Sequence, residues 1–142
     1  MKFIIPESQS LLEAYSPLIE WVAINVPSGI VIIEGALGSG KTTFVQMFFQ
    51  RVFNATEKIV SPTYALEHLY PAYKIAHLDL YRIKDERELS GLSITDHSDW
   101  RVFIEWGARF KKQLDPIAAM LDFQLIEQDG AYLRQVSCEL YE

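Results

Sequence analysis

Ile32-Ile33-Glu34-Gly35-Ala36-Leu37-Gly38-Ser39-Gly40-Lys41-Thr42-Thr43 reads G-x-x-x-x-G-K-T, with an apolar run before it and a helix-compatible run after it. That spacing suits a backbone that wraps a chain of phosphates. Gly35 and Gly40 allow torsions and close approaches that a Cβ would obstruct. Successive backbone N–H groups can then point inward at anionic oxygens. A helix starting near Lys41 adds unsatisfied N–H groups and the positive end of its dipole. Lys41 is placed to reach β- and γ-phosphates, and the Thr42 hydroxyl to bind Mg²⁺.

The flanks agree with the loop. Gly29-Ile30-Val31-Ile32-Ile33 is a short continuous apolar, β-branched run, as expected of a buried central strand. Residues 43–53 hold no Gly or Pro and are apolar around most of the circumference, which predicts a buried helix. Upstream, residues 8–26 read as helical, with Ser10-Leu11-Leu12-Glu13 as a capping box and Pro17 splitting the segment into two helices. Downstream, residues 63–70 and 73–82 read as two strands joined by Pro71-Ala72, too short a link for anything but an antiparallel hairpin. In the second of these, Ile75, His77 and Asp79 share one face while Ala76, Leu78 and Leu80 share the other. A short helix at 85–92, a strand at 100–104 and a helix at 107–114 follow. Two more strands, at 119–127 and 132–140, flank the turn Gln128-Asp129-Gly130-Ala131. The expected fold is α/β: a single P-loop NTPase-like domain over residues 1–142. Its mixed β-sheet has a parallel core plus antiparallel hairpins and is flanked by helices.

Composition excludes several classes. At 142 residues the chain has the size of one domain and can bury a substantial core. Hydrophobic residues make up 49% and charged residues 23%, which is globular rather than disordered composition. Thirteen basic against nineteen acidic residues leave a net charge of −6, with no Lys/Arg cluster to track a phosphate backbone. Autonomous nucleic-acid binding is therefore not expected. The single cysteine, Cys138, reads as a small buried residue. Met1-Lys2-Phe3-Ile4-Ile5-Pro6-Glu7 is too short in apolar length for a signal peptide, and no stretch approaches a membrane span. A soluble cytoplasmic protein is the expectation.

A phosphate-binding loop working with Mg²⁺ needs hard oxygen ligands. Two carboxylates stand at the ends of predicted strands: Asp79 after Ala76-His77-Leu78, and Glu105 after Val102-Phe103-Ile104. Glu105, delivered directly by an apolar strand, is the better metal ligand beside Thr42. Asp79 could contact the ion through water or orient the attacking water. Ser61-Pro62-Thr63 reads two ways, as a segment whose Ser61 and Thr63 hydroxyls sense a γ-phosphate or as a capped turn before a strand. His77 with Asp79 has the look of a metal-binding H-x-D, but further ligands are missing and a half-buried strand histidine is the plainer reading. Trp106 either stacks on an adenine or packs in the core. Arg82, Arg87, Arg101 and Arg109 are candidates for a charge-stabilising arginine, and a partner could supply one instead. The expected site is thus Lys41, Asp79 and Glu105 for chemistry, and Thr42 and Glu105 for the metal. Gly35, Gly38, Ser39, Gly40, Lys41, Thr42, Thr43, Ser61, Thr63 and Trp106 would contact ATP or ADP.

Taken together, Gly35-Ala36-Leu37-Gly38-Ser39-Gly40-Lys41-Thr42-Thr43-Phe44, Ser61-Pro62-Thr63-Tyr64, His77-Leu78-Asp79-Leu80-Tyr81-Arg82 and Ile104-Glu105-Trp106 resemble the TsaE family, formerly called YjeE. The resemblance spans most of the chain, and S-P-T-Y, H-x-D-x-Y-R and I-E-W are its discriminating parts. It implies an ATPase in bacterial synthesis of N6-threonylcarbamoyladenosine at position 37 of ANN-decoding tRNAs, working with TsaB and TsaD. ATP hydrolysis would reset that assembly between cycles. The family's magnesium ligands fall on Thr42 and Glu105, its nucleotide cradle on residues 38–43, and its motif aspartate on Asp79.

Two other readings share the loop. A small-molecule kinase needs an acceptor pocket and an arginine-bearing lid, and the one loop suited to a lid, residues 84–98, carries only Arg87. A nucleotide-sensing scaffold would recruit partners in its ATP-bound shape, with hydrolysis incidental. The absence of an N-K-x-D tetrad leans the nucleotide towards ATP.

Overall fold

The computed structural model describes residues 1–7, 9–62, 66–92, 94 and 98–141. Its first half runs β1 (Lys2–Ile5), α1 (Leu11–Asn25), β2 (Gly29–Gly35) and α2 (Lys41–Phe53). After these come β3 (Glu67–Tyr70), β4 (Ile75–Asp79), β5 (Arg101–Glu105) and α3 (Lys111–Leu114). The chain closes with β6 (Ala119–Gln128) and β7 (Ala131–Leu140). Single 3₁₀ turns lie at Pro71–Tyr73, Glu86–Gly91 and Ala108–Phe110.

All seven strands form one sheet in the order β1-β7-β6-β2-β5-β4-β3. β6, β2, β5 and β4 are mutually parallel, whereas β1, β7 and β3 attach antiparallel. The mixed α/β sheet expected from the sequence is therefore present. β2 lies at its centre because Val31, Ile32 and Ile33 are buried on both faces, as a parallel strand covered by other layers requires. One face carries Val31, Ile33, Ile75 and Phe103 and packs on α1 and α2. The other carries Ile30, Ile32, Leu78 and Ile104 and is covered by Leu80, Ile83, Leu89, Phe110 and Leu114.

Local chemistry explains the elements. α2 buries Phe44, Val45, Met47, Phe48 and Phe49, and ends at Asn54, whose left-handed φ of 52° lets its N–H turn back to the Phe49 carbonyl. Ser10 caps α1 by accepting from the Glu13 amide at 3.2 Å. The expected break at Pro17 does not occur: one helix runs from Leu11 to Asn25 with Pro17 inside it. Proline removes one intrahelical bond. Complete burial of Tyr15, Leu18, Ile19 and Val22 around it outweighs that loss, and the Ser16 hydroxyl bonds back to the Leu12 carbonyl at 2.6 Å.

Other boundaries shift. Of the expected strand at 63–70, residues 63–65 lie outside the described residues and β3 starts at Glu67, after Leu66 at a φ of 67°. β4 starts at Ile75 rather than Tyr73, because Lys74 takes a left-handed φ of 54° after the turn at Pro71–Tyr73. The expected helix at 85–92 is a 3₁₀ helix over Glu86–Gly91, with Asp85 and Glu88 forming a reciprocal capping box at its N-terminal end. The helix expected at 107–114 is a 3₁₀ turn running into the short α3. β1, which periodicity does not reveal, exists through its pairing with β7, Lys2 opposite Ser137. Among the described residues no helix is long and apolar enough to cross a membrane. Cys138 is buried at 7% exposure, as its patterned surroundings suggested.

Because β2, β4 and β5 run parallel, their carboxyl ends open on one edge. The register sets Glu105 beside Ile33 and Asp79 beside Glu105, directly next to the loop that leaves β2. Open α/β sheets collect ligands at that edge.

Candidate functional site

A cavity of about 340 Å³ lies at this edge. Gly38, Ser39, Gly40, Lys41, Thr42, Thr43, Ser61, Asp79, Glu105 and Trp106 line it, joined by Leu11, Tyr15, Leu37 and Arg134. The sequence-predicted residues thus converge, with two exceptions. Gly35 lies beneath the cavity and contributes its carbonyl to Lys41, and Thr63 lies outside the described residues.

The loop is held by its glycines. Gly40 caps α2 at a φ of 107° with no side-chain hydrogen bond, so the first-turn amides of the helix have no capping acceptor. The helix bonds begin with the Phe44 amide on the Gly40 carbonyl at 3.0 Å. Gly35, at a φ of 148°, packs so closely on β6 that an added Cβ would lie 2.7 Å from the Phe123 carbonyl oxygen. The Ser39 hydroxyl is buried and lacks a hydrogen-bond partner among the described residues. Its Oγ lies against Gly35, and together with the uncapped amides at the start of α2 it is a donor that an anion in the loop would complete.

Lys41 is 5% exposed. Its ammonium donates to the Gly35 carbonyl and, at 3.1 Å, to the Ala36 carbonyl, and it sits 4.2 Å from the centre of the Trp106 ring. Burial holds this lysine below its ordinary pKa, an effect that Glu105, Glu34 and Asp79 partly oppose. Trp106 adopts a φ of 62°, rare for a bulky residue, and packs against Tyr81 at 4.9 Å between ring centres. Its ring therefore stands at the lysine end of the cavity.

The carboxylates lie opposite. Glu105, 3% exposed, accepts from the Thr42 hydroxyl at 3.0 and 3.2 Å and contacts His77 Nε2 at 2.6 Å. Asp79, 4% exposed, accepts from the Ser61 hydroxyl at 2.9 Å and from the Tyr81 amide at 2.9 Å. A hydroxyl and a carboxylate side by side are hard oxygen donors of the kind Mg²⁺ takes when substrate phosphates supply the rest. Among the described residues no group of three or more His, Cys, Asp or Glu is arranged to hold a metal by itself. The H-x-D pair is therefore no such cage: His77 is fully buried, not half-buried, and turned to Glu105.

The other flank was not legible. Tyr15 on α1 donates to the Gly40 carbonyl at 3.3 Å, and burial raises its pKa against the opposing effect of Arg134. Arg134, delivered by β7, packs on Gly40, and its Nε is buried without a hydrogen-bond partner among the described residues. No local motif marks either residue; the packing of α1 brings Tyr15 to the loop, and the return of the C-terminal hairpin brings Arg134. The arginines singled out from the sequence do not line the cavity. Arg101 bonds the Val26 carbonyl at 2.7 Å, Arg87 pairs with Asp85 at 2.7 Å in solvent, and Arg109 holds the Leu80 and Tyr81 carbonyls. Arg82 is exposed.

The family model described as "Threonylcarbamoyl adenosine biosynthesis protein TsaE" matches residues 8–136. A Rickettsia typhi protein named "tRNA threonylcarbamoyladenosine biosynthesis protein TsaE" is 30% identical over 106 residues, 72% of this chain and 74% of the relative. A Bacillus subtilis protein of the same name is 33% identical over 94 residues, covering 65% of this chain and 59% of its own. The crystal structure of Bacillus subtilis YdiB aligns with a TM-score of 0.69 over 96% of this chain and 82% of that one. At 21% identity that likeness speaks for the fold.

Proposed function

The chain belongs to the TsaE family of tRNA threonylcarbamoyladenosine biosynthesis proteins, and from that premise we propose that it is a Mg²⁺-dependent ATPase that hydrolyses ATP to ADP in threonylcarbamoyl modification of adenosine 37 of ANN-decoding tRNAs. In this reading it acts on or within a TsaB–TsaD complex. One observation carries the ATPase reading. The Lys41 ammonium, the Thr42–Glu105 pair and the Asp79–Ser61 pair all face one cavity beside an uncapped helix start.

The amides of residues 38–43 and the Lys41 ammonium bind the β- and γ-phosphates and stabilise the charge that grows on them during transfer. Thr42 and Glu105 are the residues that would hold Mg²⁺, which when bound neutralises phosphate charge. Asp79 and Ser61, already hydrogen-bonded at 2.9 Å, are placed to orient the attacking water. Trp106 and the buried strand ends limit water around Lys41, which strengthens its pull on an anion. Among the described residues two cations line the cavity, Lys41 at the start of α2 and Arg134 from β7, which packs on Gly40. In this reading turnover by the isolated chain is weak, and a partner raises it.

Phosphate release by the purified chain, with and without TsaB–TsaD, tests this. The expected result is slow ADP formation alone, faster formation in the complex, and none above background for Lys41→Ala. A fast basal rate indifferent to TsaB–TsaD would overturn the partner-dependent reading, and activity surviving Lys41→Ala would overturn the site.

A further inference from the structure

His77 is held in the site by a contact that phosphate binding does not require. It lies on β4 in register with Phe103, one pleat back from Glu105 on the face towards α2. The ring is fully buried, its Nε2 is 2.6 Å from Glu105 Oε2, and its Nδ1 has no hydrogen-bond partner among the described residues. A ring nitrogen that close to a carboxylate oxygen carries the proton and donates it. A leucine would fill the same space without leaving Nδ1 unpaired in the interior, so packing alone does not account for an imidazole there. Glu105 needs such a partner. Its carboxylate is 3% exposed and the Thr42 hydroxyl reaches both oxygens, 3.2 Å from Oε1 and 3.0 Å from Oε2, so a second donor on Oε2 alone is what fixes its rotation.

We propose that His77 is a positioning residue, whose Nε2–H holds Glu105 turned towards the Thr42 hydroxyl so that the two form a ready pair for the metal of a bound nucleotide. The inference rests on the Mg²⁺–nucleotide reading above. Partners behind a metal ligand set its orientation, and removing one typically costs about 10- to 100-fold in metal affinity.

The test is calorimetric ADP binding to the full chain, in EDTA and across a Mg²⁺ titration, for wild type, His77→Leu, His77→Gln and His77→Asn. His77→Leu should raise the half-saturating Mg²⁺ concentration roughly tenfold or more, with ADP affinity in EDTA unchanged. Glutamine, whose amide nitrogen reaches the place of Nε2, should restore most of the Mg²⁺ response, and the shorter asparagine should not. In a Glu105→Gln background, His77→Leu should add no further shift, because the contact it removes is already altered. Equal loss in EDTA and in Mg²⁺ marks a merely structural role and overturns the proposal. So does a Mg²⁺ response that no His77 substitution moves. If His77→Leu does not fold, the glutamine–asparagine contrast decides, and identical behaviour of the two overturns it. A wild-type chain that binds ADP with no Mg²⁺ dependence removes the metal reading and this inference together; a Mg²⁺-dependent wild type with unaltered variants removes the inference alone.

Discussion

Replacing Gly35 by alanine should cost far more than the same change three residues on at Gly38. At Gly35 the backbone holds a φ of 148°, and a new Cβ would lie 2.7 Å from the Phe123 carbonyl oxygen and 2.9 Å from the Phe123 Cβ. Ser39 Oγ, at 2.6 Å, can rotate away. The Phe123 atoms cannot, because Phe123 is 2% exposed and paired with Gly35 in the β2–β6 ladder. Strain at such a torsion costs on the order of 1–3 kcal/mol, and forcing atoms into a packed interface about 1–3 kcal/mol more. Gly38, at a φ of 78°, has open space around its missing Cβ and bears only the left-handed penalty, roughly 1–2 kcal/mol. For a chain of this length the thermal midpoint should fall on the order of 15 °C for Gly35→Ala and about 5 °C for Gly38→Ala. Circular-dichroism melts of the ligand-free variants, repeated in urea, measure both. Equal losses would refute the assignment of the clash to β6. A Gly35→Ala variant as stable as wild type would refute the loop geometry itself.

Two further perturbations probe the scaffold. Phe48 is fully buried on α2, with its ring centre 5.1 Å from that of Phe103; Phe48→Ala should cost about 3–5 kcal/mol in urea unfolding, and a loss below about 1 kcal/mol would contradict the packing. Burial pushes the Cys138 thiol up from 9.0 to about 12. Its folded pKa lies above the unfolded one, so its contribution is fully present below pH 9 and is lost as pH rises from there towards 12. Stability should therefore drop by about 1.4 kcal/mol between pH 8 and 10 from this group. Urea unfolding of wild type and Cys138→Ala across that range should show the extra slope only in wild type; equal slopes would sink the assignment.

What was legible depended on how local its cause is. β2 and α2 follow from a continuous apolar run and an uninterrupted helical stretch, both readable within a dozen residues. Strand alternation likewise placed His77 and Asp79 on one face of β4. The continuity of α1 through Pro17 was not readable, because what offsets the lost hydrogen bond is burial against β-strands distant in sequence. β1 has only four residues and is a strand solely because β7 pairs with it. Tyr15 and Arg134 carry no spacing signal, and they reach Gly40 from opposite ends of the chain.

By itself the sequence determined the glycine-rich loop between β2 and α2. Its parts are contiguous, and their geometry is set by glycine torsions and a helix start rather than by distant packing. It also named Asp79 and Glu105, since an apolar strand ending in a carboxylate is a short-range pattern. Only the tertiary structure decided that these groups meet. Parallel pairing of β2, β5 and β4 brings three strand ends to one edge, in a register that sets Glu105 against Thr42 and Asp79 against Ser61. The same register turned His77 from an ordinary strand residue into the neighbour of Glu105, because a contact across two strands depends on how they align, which neither strand encodes alone.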